Sequence, residues 1–176
     1  MKTVIIVVGV LVGVILAIGL LIWLVGSRLP IDHTASRSIR LKKDMPTVYA
    51  VVRDFKDSAT WRPDIKSIEV LEPNGGHYRF REEGPNDKIT YEIVEDVPND
   101  HIVTRIVDTD LGYSGSWRYQ FSADGQGTVL RITENGEVSN VIFRFMSYYF
   151  FGHTATIDAY LIALAKRLGE DEIPEG

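Results

Sequence analysis

Between Val4 and Val25 the chain carries 22 consecutive uncharged residues, almost all Val, Ile, Leu, Gly and Ala, with Trp23 near the far end. As a helix such a run measures about 33 Å, enough to cross the ~30 Å hydrocarbon core of a bilayer. A helix also satisfies every backbone polar group within the run, which lipid cannot do. The apolar cores of secretory signals are roughly 7–15 residues long, so the length favours an uncleaved single-pass anchor over residues 1–27. Val25-Gly26-Ser27 is small enough to resemble a cleavage site and keeps the processed alternative open. Gly9 and Gly13 form a G-x-x-x-G on which two such helices can approach, and the oligomeric state stays open.

Lys2 precedes the run, whereas Arg28, Arg37, Arg40, Lys42 and Lys43 come after it. The positive-inside bias therefore favours a cytoplasmic position for the rest of the chain. Residues 28–32 form a short linker containing Pro30, which would keep the downstream residues close to the lipid surface. The remaining ~150 residues suit one domain with a proper core. The formal net charge of −5 argues against nucleic acid, which demands a basic face. Without cysteine there is no disulfide framework, thiolate metal site or cysteine nucleophile. His33, His77, His101 and His153 are scattered with no metal-ligand spacing, so neither a metal nor a cofactor is expected.

From His33 to Leu41 apolar and polar residues alternate, as in a strand. Asp44 then Pro46 starts a helix over Pro46–Asp54 that buries Val48, Val51 and Val52. A break at Phe55–Pro63 contains a short helical turn near Ser58–Trp61. Strands are expected at Ser67–Leu71, His77–Glu83, Lys88–Asp96, His101–Asp108, Gly115–Ser122 and Thr128–Val138, separated by Gly-, Pro- and Asn-rich turns. Links this short imply an antiparallel meander. Alternation marks its buried face as Tyr78 and Phe80; Ile89, Tyr91 and Ile93; Trp117, Tyr119 and Phe121; Leu130 and Ile132. A long helix is expected from Asn140 to Leu168, interrupted and bent at Gly152, where Phe145, Tyr149, His153, Ile157, Leu161, Leu164 and Leu168 make one apolar stripe stopped by Gly169. The acidic tail, residues 170–176, is expected to fray.

Strand, two short helices, six-strand meander and long C-terminal helix make up the order of the helix-grip fold. Over residues 33–169 the chain resembles the START-like (SRPBCC) superfamily, specifically the polyketide cyclase/dehydrase-type and lipid-transport-like domains. The residues carrying the resemblance are Ser36-Arg37-Ser38-Ile39, Trp61-Arg62-Pro63, Gly115-Ser116-Trp117-Arg118-Tyr119 before the Asp124-Gly125-Gln126-Gly127 turn, and Thr133-Glu134-Asn135-Gly136-Glu137. What the resemblance implies is an α+β, Bet v 1/START-like fold. In it a curved seven-strand antiparallel sheet grips the long helix around a cavity for lipids or other apolar small molecules.

Inward parity selects the candidate ligand-binding residues. Trp117, Tyr119, Tyr78, Phe80 and Tyr91 face in from the sheet, Phe145 and Tyr149 from the helix, and Trp61 joins them from the connecting segment. Tyr and Trp bring polar tips that need partners when buried, which suits a pocket better than a solid core. Arg37 and Glu134 each share a face with apolar neighbours on strands that the fold makes adjacent. They are expected to form an inward ion pair that latches the barrel mouth or orients a ligand.

His153 lies on the helix stripe, and histidine's unperturbed pKa near neutrality suits an acid–base catalyst. No convergent acid–base pair is identifiable, however, so the expected function is a membrane-anchored module holding an apolar ligand. A cyclase or dehydratase using His153 and a carboxylate, and a protein-interaction module with a vestigial cavity, are the alternatives. Gly112-Tyr113-Ser114-Gly115-Ser116 lacks the last glycine of a nucleophile elbow, and Gly125-Gln126-Gly127 lacks the third glycine of a dinucleotide loop.

Overall fold

A computed structural model describes residues 1–176, the Phe151 side chain excepted. The apolar run lies within helix α1, Lys2–Gly26, which is long and apolar enough to cross a membrane and is exposed along nearly its whole length. Strand β1 (Asp32–Leu41) comes next, then α2 (Met45–Arg53) and a 3₁₀ turn at Phe55–Thr60. The start of α2 has the expected chemistry: the Asp44 side chain accepts from the Thr47 N–H, and Pro46 sits in the first turn.

The meander comprises β2 (Ser67–Asn74), β3 (His77–Glu83), β4 (Lys88–Val97), β5 (His101–Ile106), β6 (Tyr113–Ala123) and β7 (Thr128–Val138). All seven strands form one antiparallel sheet in the order β1-β7-β6-β5-β4-β3-β2. The first strand therefore lies beside the last, and the sheet keeps two edges, β1 and β2.

The C-terminal helix is not continuous. It is divided into α3 (Val141–Met146), a π-helical turn at Ser147–Phe151 and α4 (Ala155–Arg167). Gly152 causes the break, because its φ of 71° and ψ of 170° leave the helical region in a way that only glycine adopts easily. The aromatic cluster ahead of it, Tyr148-Tyr149-Phe150, adds weak helix formers at the same place. Asn140 caps α3 by accepting from the Phe143 N–H at 2.9 Å, and Gly169, at φ 78°, ends α4 as expected.

The core lies between α2, α4 and one half of the sheet. Ile39, Leu41, Val48, Val52, Leu130, Ile157, Leu161 and Leu164 are almost fully withdrawn from solvent, each such side chain contributing roughly 1.5–3 kcal/mol of burial. The tail does not fray. Ser38 and Glu175 exchange two backbone hydrogen bonds of 2.9 and 2.7 Å, and the Glu170 carboxylate accepts from the Lys42 N–H at 2.9 Å. Pairing with the free edge of β1 is what orders it.

Candidate functional site

A cavity of about 480 Å³ separates the other half of the sheet from the interrupted helix. One wall is apolar, built from Ile65, Ile89, Tyr91, Ile106, Trp117 and Phe143. Two polar clusters complete it. At one side Arg62 is 8% exposed and donates through one terminal nitrogen to Glu82 at 2.7 Å and through the other to Asp64 at 2.8 Å. Its guanidinium also lies 5.3 Å from the ring centre of Tyr160. Among the described residues Arg62 Nε and Asp64 Oδ1 are buried with no hydrogen-bond partner, so the cluster has spare donor and acceptor capacity.

At the other side Glu134 accepts from Trp117 Nε1 at 2.9 Å and pairs with His33 Nε2 at 3.2 Å. The His153 ring stacks on His33, centre to centre 4.0 Å. Gly136 makes room for this arrangement, since a Cβ there would overlap the His33 ring.

Electrostatics separate the two clusters. Burial opposes the charge on Arg62, but Glu82 and then Asp64 outweigh it, and the guanidinium pKa is raised further. Burial also lifts the Glu82 carboxyl above its ordinary range, an effect that Arg62 opposes. Burial, reinforced by Glu82, raises the Tyr91 phenol well above its usual value, and burial followed by Asp87 brings Tyr113 to about 12. These phenols are neutral near neutrality and can donate hydrogen bonds. His153 moves the other way: burial, then the neighbouring His33, lowers its pKa, and Glu134 only partly opposes them.

Of the sequence-predicted residues, Tyr91, Trp117, Glu134 and His153 line the cavity. Phe80 and Tyr119 belong to the filled core; Phe80 is sandwiched between Phe55 at 4.5 Å and Tyr91 at 5.4 Å. Trp61 packs edge-on against Tyr160 at 5.4 Å, and Tyr78 lies beneath Arg53, both against that core rather than in the cavity wall. Phe145 and Tyr149 meet at a tilt outside the cavity: Phe145 faces the end of α1 at Gly26, and Tyr149, in the π turn, is exposed.

The Arg37–Glu134 ion pair is not formed. Both strands are adjacent and both residues face inward, but the register sets Ala35 opposite Glu134 and Arg37 opposite Ile132. Arg37 instead donates to Asp158 at 2.9 Å, Thr154 at 3.3 Å and the Gly176 carbonyl at 2.8 Å, tying β1 to α4 and the tail.

Sequence reasoning missed the Arg62–Asp64–Glu82 cluster, His33 and Tyr160. Glu82 was legible, since it shares the parity of Tyr78 and Phe80 and is a charge on an inward face. Tyr160 comes three residues after Ile157, a step omitted by a stripe read mainly at intervals of four.

A seven-strand antiparallel sheet curved around a C-terminal helix, with a cavity of mixed aromatic and buried ionic lining, defines a ligand-cavity protein of the helix-grip class. The chain belongs to the family described as polyketide cyclase / dehydrase and lipid transport, whose model matches residues 32–168. No curated protein matches it in sequence.

Among solved structures, a START superfamily protein from Mycobacterium smegmatis is 18% identical with a TM-score of 0.63, covering 78% of this chain and 97% of that one. Norcoclaurine synthase from Thalictrum flavum, in complex with dopamine and hydroxybenzaldehyde, is 11% identical with a TM-score of 0.61, over 78% and 87% of the two chains. The di-domain ARO/CYC StfQ from the steffimycin biosynthetic pathway is 13% identical with a TM-score of 0.62; the match covers 79% of this chain and 52% of StfQ. This chain thus corresponds to about half of that di-domain protein. At such identities the likeness is one of fold.

Proposed function

We propose that this protein is a membrane-tethered binding module that holds an apolar small molecule or lipid bearing an uncharged or cationic polar group. The observation that carries the reading is the ~480 Å³ cavity with an apolar wall on one side and a buried Arg62–Glu82 ion pair on the other, a size and mixture typical of small-molecule sites. Five carboxylates line it, Asp64, Glu82, Asp87, Glu134 and Glu137, against one arginine and two histidines. Arg62 is already engaged by two of these, so a fatty acid or other anion would meet net negative charge. A hydroxyl, amide or amine would find acceptors instead. Helix α1 supplies the tether, and the basic residues after it favour a cytoplasmic domain.

The test is solvent extraction of purified full-length protein and mass spectrometry of the extract, beside an Ile106→Trp variant whose cavity is filled. A neutral or cationic amphiphile enriched in the wild type and depleted in the variant is the expected outcome. Equal extracts, or an anionic ligand, overturn the reading or its charge preference respectively.

A second reading, proton transfer on the bound molecule, draws on the stacking of His153 over the Glu134-bound His33. It requires that the bound compound change in mass or isomeric form on incubation with the wild type and not with His153→Gln.

A further inference from the structure

Among the described residues, helix α1 packs against the rest of the molecule through α3. Along its last turns Ile22, Val25 and Gly26 are the covered positions, at the spacing of one helix face, while Trp23 and Leu24 stay exposed. The covering element is α3. A Cβ at Gly26 would lie 2.5 Å from the Val141 carbonyl oxygen and 3.3 Å from Phe145 Cβ, so the two helices meet at backbone distance. Arg144, 7% exposed, fastens the junction. Its guanidinium donates to the carbonyls of Leu29 at 3.1 Å and Gly26 at 3.4 Å on one side, and of Val138 at 2.8 Å and Ser139 at 3.0 Å on the other.

Charge-assisted donors matched to backbone carbonyls on both sides of the linker make a rigid joint rather than a loose leash. The segment so fixed is unusually apolar for a surface. Ile142, Phe143, Tyr148, Tyr149 and Phe150 are all more than two-fifths exposed. The same segment contributes Phe143 and Ser147 to the cavity lining, and Gly152 and His153 follow it there.

We propose that the stretch from Ile142 to Phe150 lies in the lipid interface of the membrane that α1 crosses, so that the cavity opens directly onto the bilayer. The occupant of this apolar face is the lipid surface itself, because the face is continuous, through the Gly26–Val141 contact, with the end of a helix apolar enough to span. Tyr and Trp favour the interfacial depth, with the ring in hydrocarbon and the polar tip in water, and Phe buries its ring on the apolar side beside them. A ligand would then pass between membrane and cavity without crossing water.

The inference rests on the tether reading, and the test separates the two. The chain has no cysteine, so a nitroxide can be placed singly by Phe150→Cys, Leu16→Cys in α1, or Gln126→Cys in the β6–β7 turn at the far end of the sheet. Each full-length protein is reconstituted in phosphatidylcholine vesicles, and its accessibility to lipid-soluble oxygen is compared with that to a water-soluble nickel chelate. The expected result is a severalfold higher oxygen-to-nickel ratio at both Phe150 and Leu16 than at Gln126. An aqueous value at Leu16 sinks the tether and the inference together. A lipid value at Leu16 with an aqueous value at Phe150 overturns the inference alone. Shielding of Phe150 from both reagents would place a protein, such as a second copy of the chain, on this face and likewise overturns it.

Discussion

The two ends of the sheet present the same inner face, yet one is filled and the other hollow. At the filled end β1 offers Leu41 and Ile39, β3 Phe80, β4 Ile93, β6 Phe121 and β7 Leu130, all buried against α2 and α4. Further along the same faces, in the same parity, stand His33 on β1, Glu82 on β3, Tyr91 on β4, Trp117 on β6 and Glu134 on β7, and these line the cavity. Each of these strands changes chemistry about midway, from side chains that pack without conditions to side chains that need partners. The changes are staggered from strand to strand: Trp117 and Glu134 pair directly across β6 and β7, whereas Phe80 stands opposite Tyr91 and Ala35 opposite Glu134. The helix layer changes in the same direction, from the aliphatic stripe of α4 to the Gly152 break and the π turn. A hollow therefore needs no missing element. It needs residues that pair with one another and a helix that cannot press down on them.

Breaking the ionic end of the hollow should have the largest effect. Arg62→Met leaves Glu82 buried and unpaired, and should cost about 3–5 kcal/mol in denaturant unfolding. Adding Glu82→Leu in the same chain should restore much of that stability while abolishing retention of the extracted ligand. If the single substitution costs less than about 1 kcal/mol, the pair is not buried in solution.

Truncations sharpen the contrast between the ends. Leu161→Ala, in the filled end, should lose about 3 kcal/mol through the cavity it opens and leave ligand binding nearly unchanged once folded. Ile89→Ala, in the hollow wall, removes contacts from a side chain only half withdrawn from water. It should lose only about 1 kcal/mol and weaken binding more than Leu161→Ala does. Equal stability losses with equal effects on binding would erase the distinction.

The smallest effect concerns pH. His153 has a folded pKa below its ordinary 6.5, so on acidification through and below that value the unfolded chain takes up a proton before the folded one. Stability contributed by the neutral ring is intact above 6.5 and declines as pH falls towards the folded pKa. His153→Gln should flatten that part of the thermal-midpoint profile, and an unchanged slope would show that the ring is not held neutral by its stack on His33.

Much of the architecture was legible because local patterns and fold agree. The turn chemistry set the meander, Asp44 and Pro46 started α2, and parity marked the inner face. In the long helix the interruption at Gly152 was legible, but not its extent, because a stripe at intervals of four continues past a glycine while φ and the aromatic run decide whether the backbone does. The site was only partly legible for a related reason. Parity tells which side of the sheet a residue faces but not which end of the cavity it reaches, so Phe80 and Tyr91 looked alike. Arg37 and Glu134 were rightly placed inward on neighbouring strands. Pairing, however, depends on register and on helix residues such as Asp158, which no strand pattern contains.

The tail that pairs with β1 bears on how copies of this protein would meet. An open strand edge is a template for another strand, and the hazard grows with local concentration. Proteins confined to a membrane plane share one orientation and a thin layer of space, so edges meet far more often than in bulk solution. Here the Ser38 N–H and carbonyl are already occupied by Glu175, and the neighbouring Glu170 and Glu172 are held by Lys42. On the proposed tether, where copies would crowd in two dimensions, the acidic tail thereby covers part of the β1 edge and leaves β2 as the open one.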